Sequence, residues 1–296
     1  MSAALAALPS SGVPGRSRFL ALVLAYALLV VACFTTLWAA GELSFGRNPW
    51  PNFVKSVGEF ARPSFVDAWF GAERLEFRSD DGRLLRVENR RETERVFLVA
   101  VAEAAWTTLR IATLGSLLAA LIALPVGVLA ARNLRAPMPL AVLARGVLNV
   151  TRAVHTLVFG LVLVGIVGLG PTAGILAIAL HSMGTYGKLY AEAIETLDMA
   201  AVEAVQAVGA TPPQVFFQAV WPAVLPQFVS SHLYIWEYNI RDSTILGLIG
   251  AGGLGLLISE ATSLFQWGRL ATLLLVVIAM VMLFDAASRR IRQALL

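Results

Sequence analysis

Residues 203–222 read EAVQAVGATPPQVFFQAVWP, a polar, turn-bearing segment within a strongly apolar chain. Good helix formers lead up to Gly209, a residue type that readily adopts the left-handed conformation found at helix ends. Thr211 then caps a second predicted helix, Pro212 suits its first position, and Gln214 can reach back to the cap. The segment therefore predicts two short helices joined by a tight corner, too polar and too interrupted to span a bilayer.

The composition around this segment is that of a membrane protein. Of 296 residues, 58% are hydrophobic and 14% are charged, whereas soluble domains carry about 25% charged residues. Charge-free runs predict about six spans of the roughly 20 residues that a helix needs to cross hydrocarbon. The predicted spans are 19–41, 111–131, about 140–167, 171–187, about 223–240 and about 268–287, with residues 168–171 dividing the third from the fourth. We therefore expect an all-α polytopic membrane protein, with five of the spans in a core at 96–296.

The predicted orientation follows from positively charged residues, which in short loops stay preferentially in the cytoplasm. With about six spans, the basic residues next to the spans all fall on one side of the membrane. They are Arg16, Arg18, Arg132, Arg135, Arg145, Lys188, Arg289, Arg290 and Arg292. Both termini, including residues 1–18, and the 203–222 segment are then cytoplasmic. We expect a multi-pass protein of the plasma membrane.

Residues 42–95 form the long polar stretch of the chain, with ten Lys or Arg and ten Asp or Glu, and we expect them outside the cytoplasm. Residues 52–61 and 64–70 are typical of short helices that lie at the membrane interface. Alternating residues on either side of Asp81-Gly82 indicate a β-hairpin. Two interpretations remain open for this insertion: a docking surface for an extracytoplasmic protein, or a cap over the outer membrane face.

Charged residues also occur at the end of the fifth predicted span. Glu237 and Arg241 are four residues apart, which places them on one face of a helix in the favourable acid-first order. Because ionisable groups are costly at membrane depth, they normally face a bundle interior or an aqueous path. The pair is therefore either part of a translocation pathway or a structural ion pair at the outer boundary. The glycine-rich residues 247–255 that follow predict a break in the helix.

The 203–222 segment resembles the cytoplasmic loop of ABC-importer permeases, in which Glu-Ala-Ala and a later Gly precede an apolar stretch that ends in Pro. Residues 233–255, LYIWEYNIRDSTILGLIGAGGLG, more narrowly resemble a signature of the phosphonate ABC-transporter permeases. Residues 124–133, 152–159 and 181–193 add to this resemblance. It covers about two-thirds of the chain, whereas the polar segment 42–95 matches no part of the family pattern.

This resemblance implies the membrane subunit of an ABC importer, in which the loop 191–222 docks on a cytoplasmic ATPase and carries its motion into the membrane. The implied loop residues are Glu203, Ala204, Gly209, Thr211, Pro212, Gln214 and Pro222, and the implied pathway residues are Arg241, Glu237, Asn239 and Ser243. The implied partners are a second copy of the chain, two ATPase subunits and one extracytoplasmic binding protein. The implied substrate is a phosphonate or a related oxyanion, phosphate or phosphite, moved by alternating access.

The chain lacks the motif G-x-x-x-x-G-K-[ST], so we expect ATP and Mg²⁺ on the partner ATPases and no cofactor in this chain. His155, His181 and His232 lack metal-ligand spacing, and no Ser/His/Asp set is apparent, so we expect neither a metal site nor catalysis. The inner-face arginines account for the net positive charge without a nucleic acid partner. The alternative function is a stand-alone secondary transporter or channel, which would need an internal repeat or paired broken helices. An intramembrane enzyme would need a nucleophile and a base.

Overall fold

A computed structural model describes residues 16–42, 49–73, 75–78, 84–134 and 137–295. The chain divides into two compact units, residues 1–55 and 56–296. The described helices are α1 Arg16–Ala39, α2 Pro49–Phe60, α3 Ser64–Phe70, α4 Arg90–Ala130, α5 Met138–Ala153, α6 Thr156–Val167, α7 Pro171–Glu195, α8 Met199–Ala207, α9 Pro212–Val215, α10 Trp221–Leu246, α11 Leu254–Ser263 and α12 Trp267–Leu295. Single π-helical turns cover Phe216–Val220 and Gly247–Ala251, and the strands are β1 Leu75–Arg78 and β2 Leu84–Glu88.

Length and composition identify the candidate membrane spans. Among the described residues, three helices qualify: Phe19–Ala39, Arg90–Ala130 and Trp267–Ala294. The number rises to five if two bent pairs each count as one span: α5 with α6, bent by 90°, and residues 212–251 with α11, bent by 58°. The predicted fourth span lies within α7, which does not reach the same apolar threshold. The structure therefore supports three to five spans by composition.

The third and fourth predicted spans divide where the sequence predicts. Residues 168–171 interrupt the helix, and Pro171 opens α7. A bend inside the third span is not predicted. There α5 ends at Ala153, and the His155 side chain starts α6 by accepting a hydrogen bond from the Leu157 backbone N–H (3.2 Å). The third span is consequently two helices at right angles rather than one straight arm.

Helix α7 lies at the centre of the second unit, in contact with α4, α5, α6 and α10. One apolar cluster includes the fully buried Tyr186 and Ile194, and a second includes Ile111 and Ile178. The helix backbones approach closely enough that a Cβ added at Gly127 would lie 2.8 Å from the backbone oxygen of Gly187. Such close packing explains why α7 alternates small and large residues instead of presenting an apolar surface all round.

The described part of the polar segment 42–95 contains helices and paired strands. The interfacial helices predicted at 52–61 and 64–70 correspond to α2 and α3. Strands β1 and β2 pair antiparallel, with Leu75 opposite Glu88. The predicted Asp81-Gly82 turn lies outside the described residues.

Candidate functional site

The segment between α7 and α10 folds as the predicted helical corner. Asp198 caps α8 by accepting a hydrogen bond from the Ala200 backbone N–H (3.0 Å). Gly209 has a φ of 82°, which confirms the predicted left-handed turn. Gln214 Oε1 then accepts hydrogen bonds from the Thr211 backbone N–H (2.8 Å) and the Thr211 hydroxyl (2.9 Å). The predicted loop residues Glu203, Ala204, Gly209, Thr211, Pro212, Gln214 and Pro222 are all exposed.

This exposed corner is anchored from beneath by apolar side chains. Val202 of α8 and Val215 of α9 are buried, and both belong to the apolar cluster that contains Tyr186. One face of the corner is therefore fixed to the bundle while the other is free of intrachain contacts that would bury it. Such a surface is suited to a partner protein.

The second helix of the corner does not end where the sequence predicts. The helix that begins at Pro212 continues through the π turn at Phe216–Val220 and the whole of α10, and Gly250, with a φ of 102°, breaks it within the glycine-rich stretch, as the sequence predicts. At a rise of roughly 1.5 Å per residue, the part from Pro212 to Leu246 is about 50 Å long. It joins the exposed corner directly to the charged end of α10, so a displacement of one end is passed to the other by continuous helix.

The Glu237–Arg241 pair lies on one side of α10, with the acid buried and the arginine exposed. Arg241 Nη2 is 3.3 Å from Glu237 Oε1. The Arg241 side chain is 53% exposed and the Glu237 side chain 12% exposed. The guanidinium also stands 5.9 Å from the centre of the Tyr238 ring. One hydrogen bond leaves most of the guanidinium donors of Arg241 available to a ligand.

The other two predicted pathway residues face elsewhere. Asn239 donates to Ser116 Oγ (2.8 Å) and accepts from Ser182 Oγ (3.0 Å), so it joins α10 to α4 and α7. Ser243 donates to the Thr108 backbone oxygen at 3.2 Å. Both are fully buried. Two residues along a helix correspond to about 200° of rotation, which explains why this pair lies opposite Glu237 and Arg241.

The residue after Arg241 is a buried carboxylate that the sequence analysis did not single out. Asp242 is 4% exposed and accepts a hydrogen bond from the Thr156 hydroxyl (2.6 Å), at the first residue of α6. His181 Nδ1 of α7 lies 2.8 Å from the backbone oxygen of Val154 in the same bend. The bend between α5 and α6 is thus tied to both α7 and α10. Asp242 directly follows Arg241 in the quoted signature, but nothing in the sequence pairs it with a residue 86 positions away.

Ion pairs tie helix α3 to α4 and α4 to α12. Asp67 of α3 is buried, with Arg62 at 2.8 Å and Arg90 of α4 at 2.7 Å. Glu94 of α4 binds Arg269 of α12 at 3.0 Å. These pairs fix α3, α4 and α12 to one another. Within the described part of the chain, no three His, Cys, Asp or Glu side chains lie close enough to hold a metal ion.

The fold of about two-thirds of this chain is also found in solved structures of ABC transporters. Two chains of the inward-facing MetNI methionine ABC transporter superpose on it with TM-scores of 0.60 and 0.61, at 24% and 23% identity. The superpositions cover 67% and 68% of this chain and 96% and 98% of those chains. A chain of an amino acid ABC transporter superposes with a TM-score of 0.58 at 16% identity. These likenesses establish that this chain shares the fold of those ABC transporter chains.

The family follows from sequence. The model described as "Binding-protein-dependent transport system inner membrane component" matches residues 123–296, and the chain belongs to that family. It is therefore a membrane-embedded transport permease.

Three relatives define the branch of the family. The phosphite transport system permease protein PtxC of Stutzerimonas stutzeri is 46% identical over 63% of this chain and 68% of its own length. The putative phosphite permease HtxC of the same organism is 38% identical over 67% and 71%. The phosphate-import permease PhnE of Mycolicibacterium smegmatis is 37% identical over 65% of this chain and 36% of its own length. These relatives confirm the resemblance to phosphonate-type ABC permeases.

Proposed function

We propose that this chain is the membrane subunit of an ATP-driven ABC importer that moves phosphite, phosphonate or phosphate into the cell by alternating access. The 46% identity to a phosphite permease carries the proposal for the substrate class. Arg241, with most of its donors free, supplies the positive charge that an oxyanion needs along a low-dielectric route. The ATPase and binding-protein partners follow from the family, and ATP and Mg²⁺ bind to those ATPases.

Uptake in proteoliposomes tests this function. The chain is reconstituted with its ATPase and binding protein, and entry of labelled phosphite, methylphosphonate and phosphate is measured with and without ATP. We expect ATP-dependent uptake of at least one of the three and none of methionine. Oxyanion uptake by the chain alone, without ATP or partners, would instead support the stand-alone transporter or channel.

We further propose that residues 198–222 are the coupling element that contacts the ATPase. Their exposed surface and the continuous helix from 212 to 246 support this role. Gly209→Val forces a left-handed conformation on a β-branched residue, at a cost of about 1–2 kcal/mol. We expect transport to fall while ATP hydrolysis continues. Gly146→Val is the matched control, because Gly146 also has open space around it but no positive φ.

The same family supports two copies of the chain in the importer and about six spans per copy. The span to be added to the five is α7, whose 25 residues are long enough to cross the hydrocarbon and whose Ser182, Tyr186 and Tyr190 side chains are buried. Residues 198–222 and both termini are then cytoplasmic and 42–95 is external.

Cysteines replacing Ala72 and Val208, in a Cys33→Ser background, should react from opposite sides of the membrane. Labelling of both by an impermeant reagent outside intact cells would contradict this topology, and native mass spectrometry of the importer counts the copies.

A further inference from the structure

A cavity of about 260 Å³ opens between the ends of α4 and α7 and the middle of α5, close to the coupling segment. Its polar lining comes from six side chains of these elements. They are Arg132, Arg145, Asn149, Lys188, Glu192 and Glu195. Under the proposed topology, this cavity lies at the cytoplasmic membrane surface.

The carboxylates of the cavity are already engaged. Glu195 Oε1 accepts a hydrogen bond from the Arg132 backbone N–H (2.8 Å). Glu192 lies 3.5 Å from Lys188 Nζ, one turn away on α7. Neither acid reaches an arginine side chain: in the described ranges, the guanidinium groups of Arg132 and Arg145 have no carboxylate within 4.0 Å. With three basic and two acidic side chains in its lining, the cavity keeps a net positive charge of one, and neither arginine side chain is paired directly with an acid.

The two arginines keep unused donors toward the cavity. Arg145 Nε donates to the backbone oxygen of Ala130 (2.8 Å), which fixes the side chain and leaves both terminal nitrogens free. Arg145 is only partly exposed, and a partly desolvated cation without a counter-charge favours an anionic ligand. Paired guanidinium groups match the geometry of a phosphate, and basic pockets between transmembrane helices on the cytoplasmic side recognise phosphate headgroups.

We propose that this cavity binds a phosphate group, held by Arg132 and Arg145 with Lys188 at its edge. The proposal rests on the cytoplasmic orientation given above. The phosphate comes from one of two sources: the headgroup of an anionic phospholipid in the inner leaflet, or a free oxyanion on the cytoplasmic side.

Occupation of the cavity acts on coupling. The turn after α4 is joined to the end of α7 by the Arg132–Glu195 hydrogen bond and by Asn133 Nδ2, which donates to the backbone oxygen of Ile194 (2.6 Å). Residue 198, where the coupling segment begins, follows directly. A phosphate bridging Arg132 and Arg145 therefore braces α4 and α5 against the base of the coupling segment, and its loss loosens that base.

The test uses the complete importer, with its ATPases and binding protein, in nanodiscs of neutral phosphatidylcholine with or without phosphatidylglycerol. Native mass spectrometry measures retained phospholipid, and ATP hydrolysis with and without binding protein measures coupling. The test variant is Arg132→Gln/Arg145→Gln. The control is Arg289→Gln/Arg290→Gln, which removes the same charge from α12, a helix that does not line the cavity.

If the source is lipid, the wild type and the control retain phosphatidylglycerol, and the test variant retains about tenfold less, because it loses charge-assisted hydrogen bonds. Coupling in the wild type then falls in neutral lipid, whereas the variant is insensitive to lipid composition. If the source is free oxyanion, added inorganic phosphate changes ATP hydrolysis of the wild type in neutral lipid and leaves the variant unaffected.

Equal lipid retention and an equal response to phosphate in wild type and test variant would overturn the proposal. Arg145→Lys, which keeps the charge but loses the planar fork, replaces the double variant if the latter fails to assemble, and a smaller loss of the same two readouts is then expected. Lipid retention does not depend on the transported substrate. An importer that carries a different substrate therefore leaves this test intact, and cysteine labelling reports separately on the orientation.

Discussion

Two glutamate–arginine pairs differ in how completely each arginine is committed. Glu94 and Arg269 join α4 to α12, 175 residues apart, and Arg269 Nε and Nη2 donate to the Glu94 carboxylate at 3.0–3.3 Å. Arg269 also stands 4.8 Å from the centre of the Phe97 ring, and its side chain is 25% exposed. Glu237 and Arg241 lie on one helix and share one 3.3 Å hydrogen bond, with Arg241 53% exposed.

This difference in hydrogen bonding and exposure indicates that Arg269 stabilises the fold, whereas Arg241 is available to bind a ligand. Removing one partner of a buried, multiply bonded pair leaves a charge stranded away from water, which is strongly destabilising. Glu237 is about as buried as Glu94, at 9% and 7% exposed, so the contrast lies in the arginines: Arg241 makes one hydrogen bond to its acid and reaches solvent. Pairs four residues apart on one helix contribute only about 0.3–0.5 kcal/mol to stability. Of the two interpretations that the sequence leaves open for Glu237 and Arg241, this contrast favours the pathway. The four predictions below test this contrast.

The largest effect is expected at Arg269. Arg269→Gln leaves Glu94, which is 7% exposed, without its cation, and we expect the folded state to lose on the order of 3 kcal/mol. Membrane abundance and the melting temperature of the purified protein should both fall. Arg289→Gln is the control, since Arg289 pairs with Asp285 within one exposed turn and should melt like the wild type. An unchanged melting temperature for Arg269→Gln would remove the contrast between the two pairs.

The next effect is expected at Arg241 and should appear in transport rather than in folding. Arg241→Gln removes charged donors worth about 1.5–3 kcal/mol to a bound anion, so uptake should fall about tenfold to a hundredfold. Membrane abundance, melting temperature and binding to the ATPase should stay near wild type. Normal uptake by abundant Arg241→Gln protein would exclude Arg241 from the pathway. Loss of folded protein with rescue by exchanging residues 237 and 241 would instead support a structural pair.

Asp242 is another buried acid, and its partner is the hydroxyl of Thr156, whereas the partner of Glu94 is the guanidinium of Arg269. Thr156→Val keeps the shape of the side chain but removes the 2.6 Å hydrogen bond, and we expect a loss of about 1–2 kcal/mol in stability. Because this bond ties α10 to the bend before α6, we also expect less transport per ATP hydrolysed. Thr156→Ser restores both readouts if the hydroxyl is responsible. Thr272→Val, which removes the hydroxyl pair with Ser64, is the control and should leave coupling unchanged.

Features set by local sequence could be predicted, and features set by distant contacts could not. Hydropathy located the first, second and last predicted spans, which overlap the three helices that are long and apolar enough to cross a membrane. The break at 168–171 and the corner at Gly209 follow from residues that strongly favour such conformations. The right-angle bend near His155 could not be predicted, because no Gly or Pro marks it in the sequence. Contacts with His181 and Asp242 from other helices stabilise it instead.

The sequence did not predict the continuous helix from 212 to 246 because of the prolines within it. Pro222 lies in the first turn of α10 and Pro226 four residues further on, and this spacing is typical of an interrupted loop. The π turn at Phe216–Val220 precedes them and alters the hydrogen-bond pattern where Pro222 and Pro226 have no N–H to donate. In the site, spacing identified the Glu237–Arg241 pair, whereas Asn239 and Ser243 were grouped with it although they lie on the opposite face.

The smallest effect is expected at Glu237. Glu237→Gln keeps the size of the side chain and one acceptor for Arg241 but removes the negative charge. Since an i,i+4 pair contributes about 0.3–0.5 kcal/mol, stability should change by no more than that. Uptake should change by about twofold, in a direction that reports the role of the acid.

Tighter binding and slower release of the oxyanion are expected if Glu237 moderates the attraction of Arg241 for the anion. Steady-state uptake across substrate concentrations separates the two parameters: the apparent KM and the maximal rate should both fall. A collapse of stability as large as that of Arg269→Gln would mean that the two glutamate–arginine pairs are equivalent after all, because the acid would then be as necessary to the fold at α10 as Glu94 is between α4 and α12.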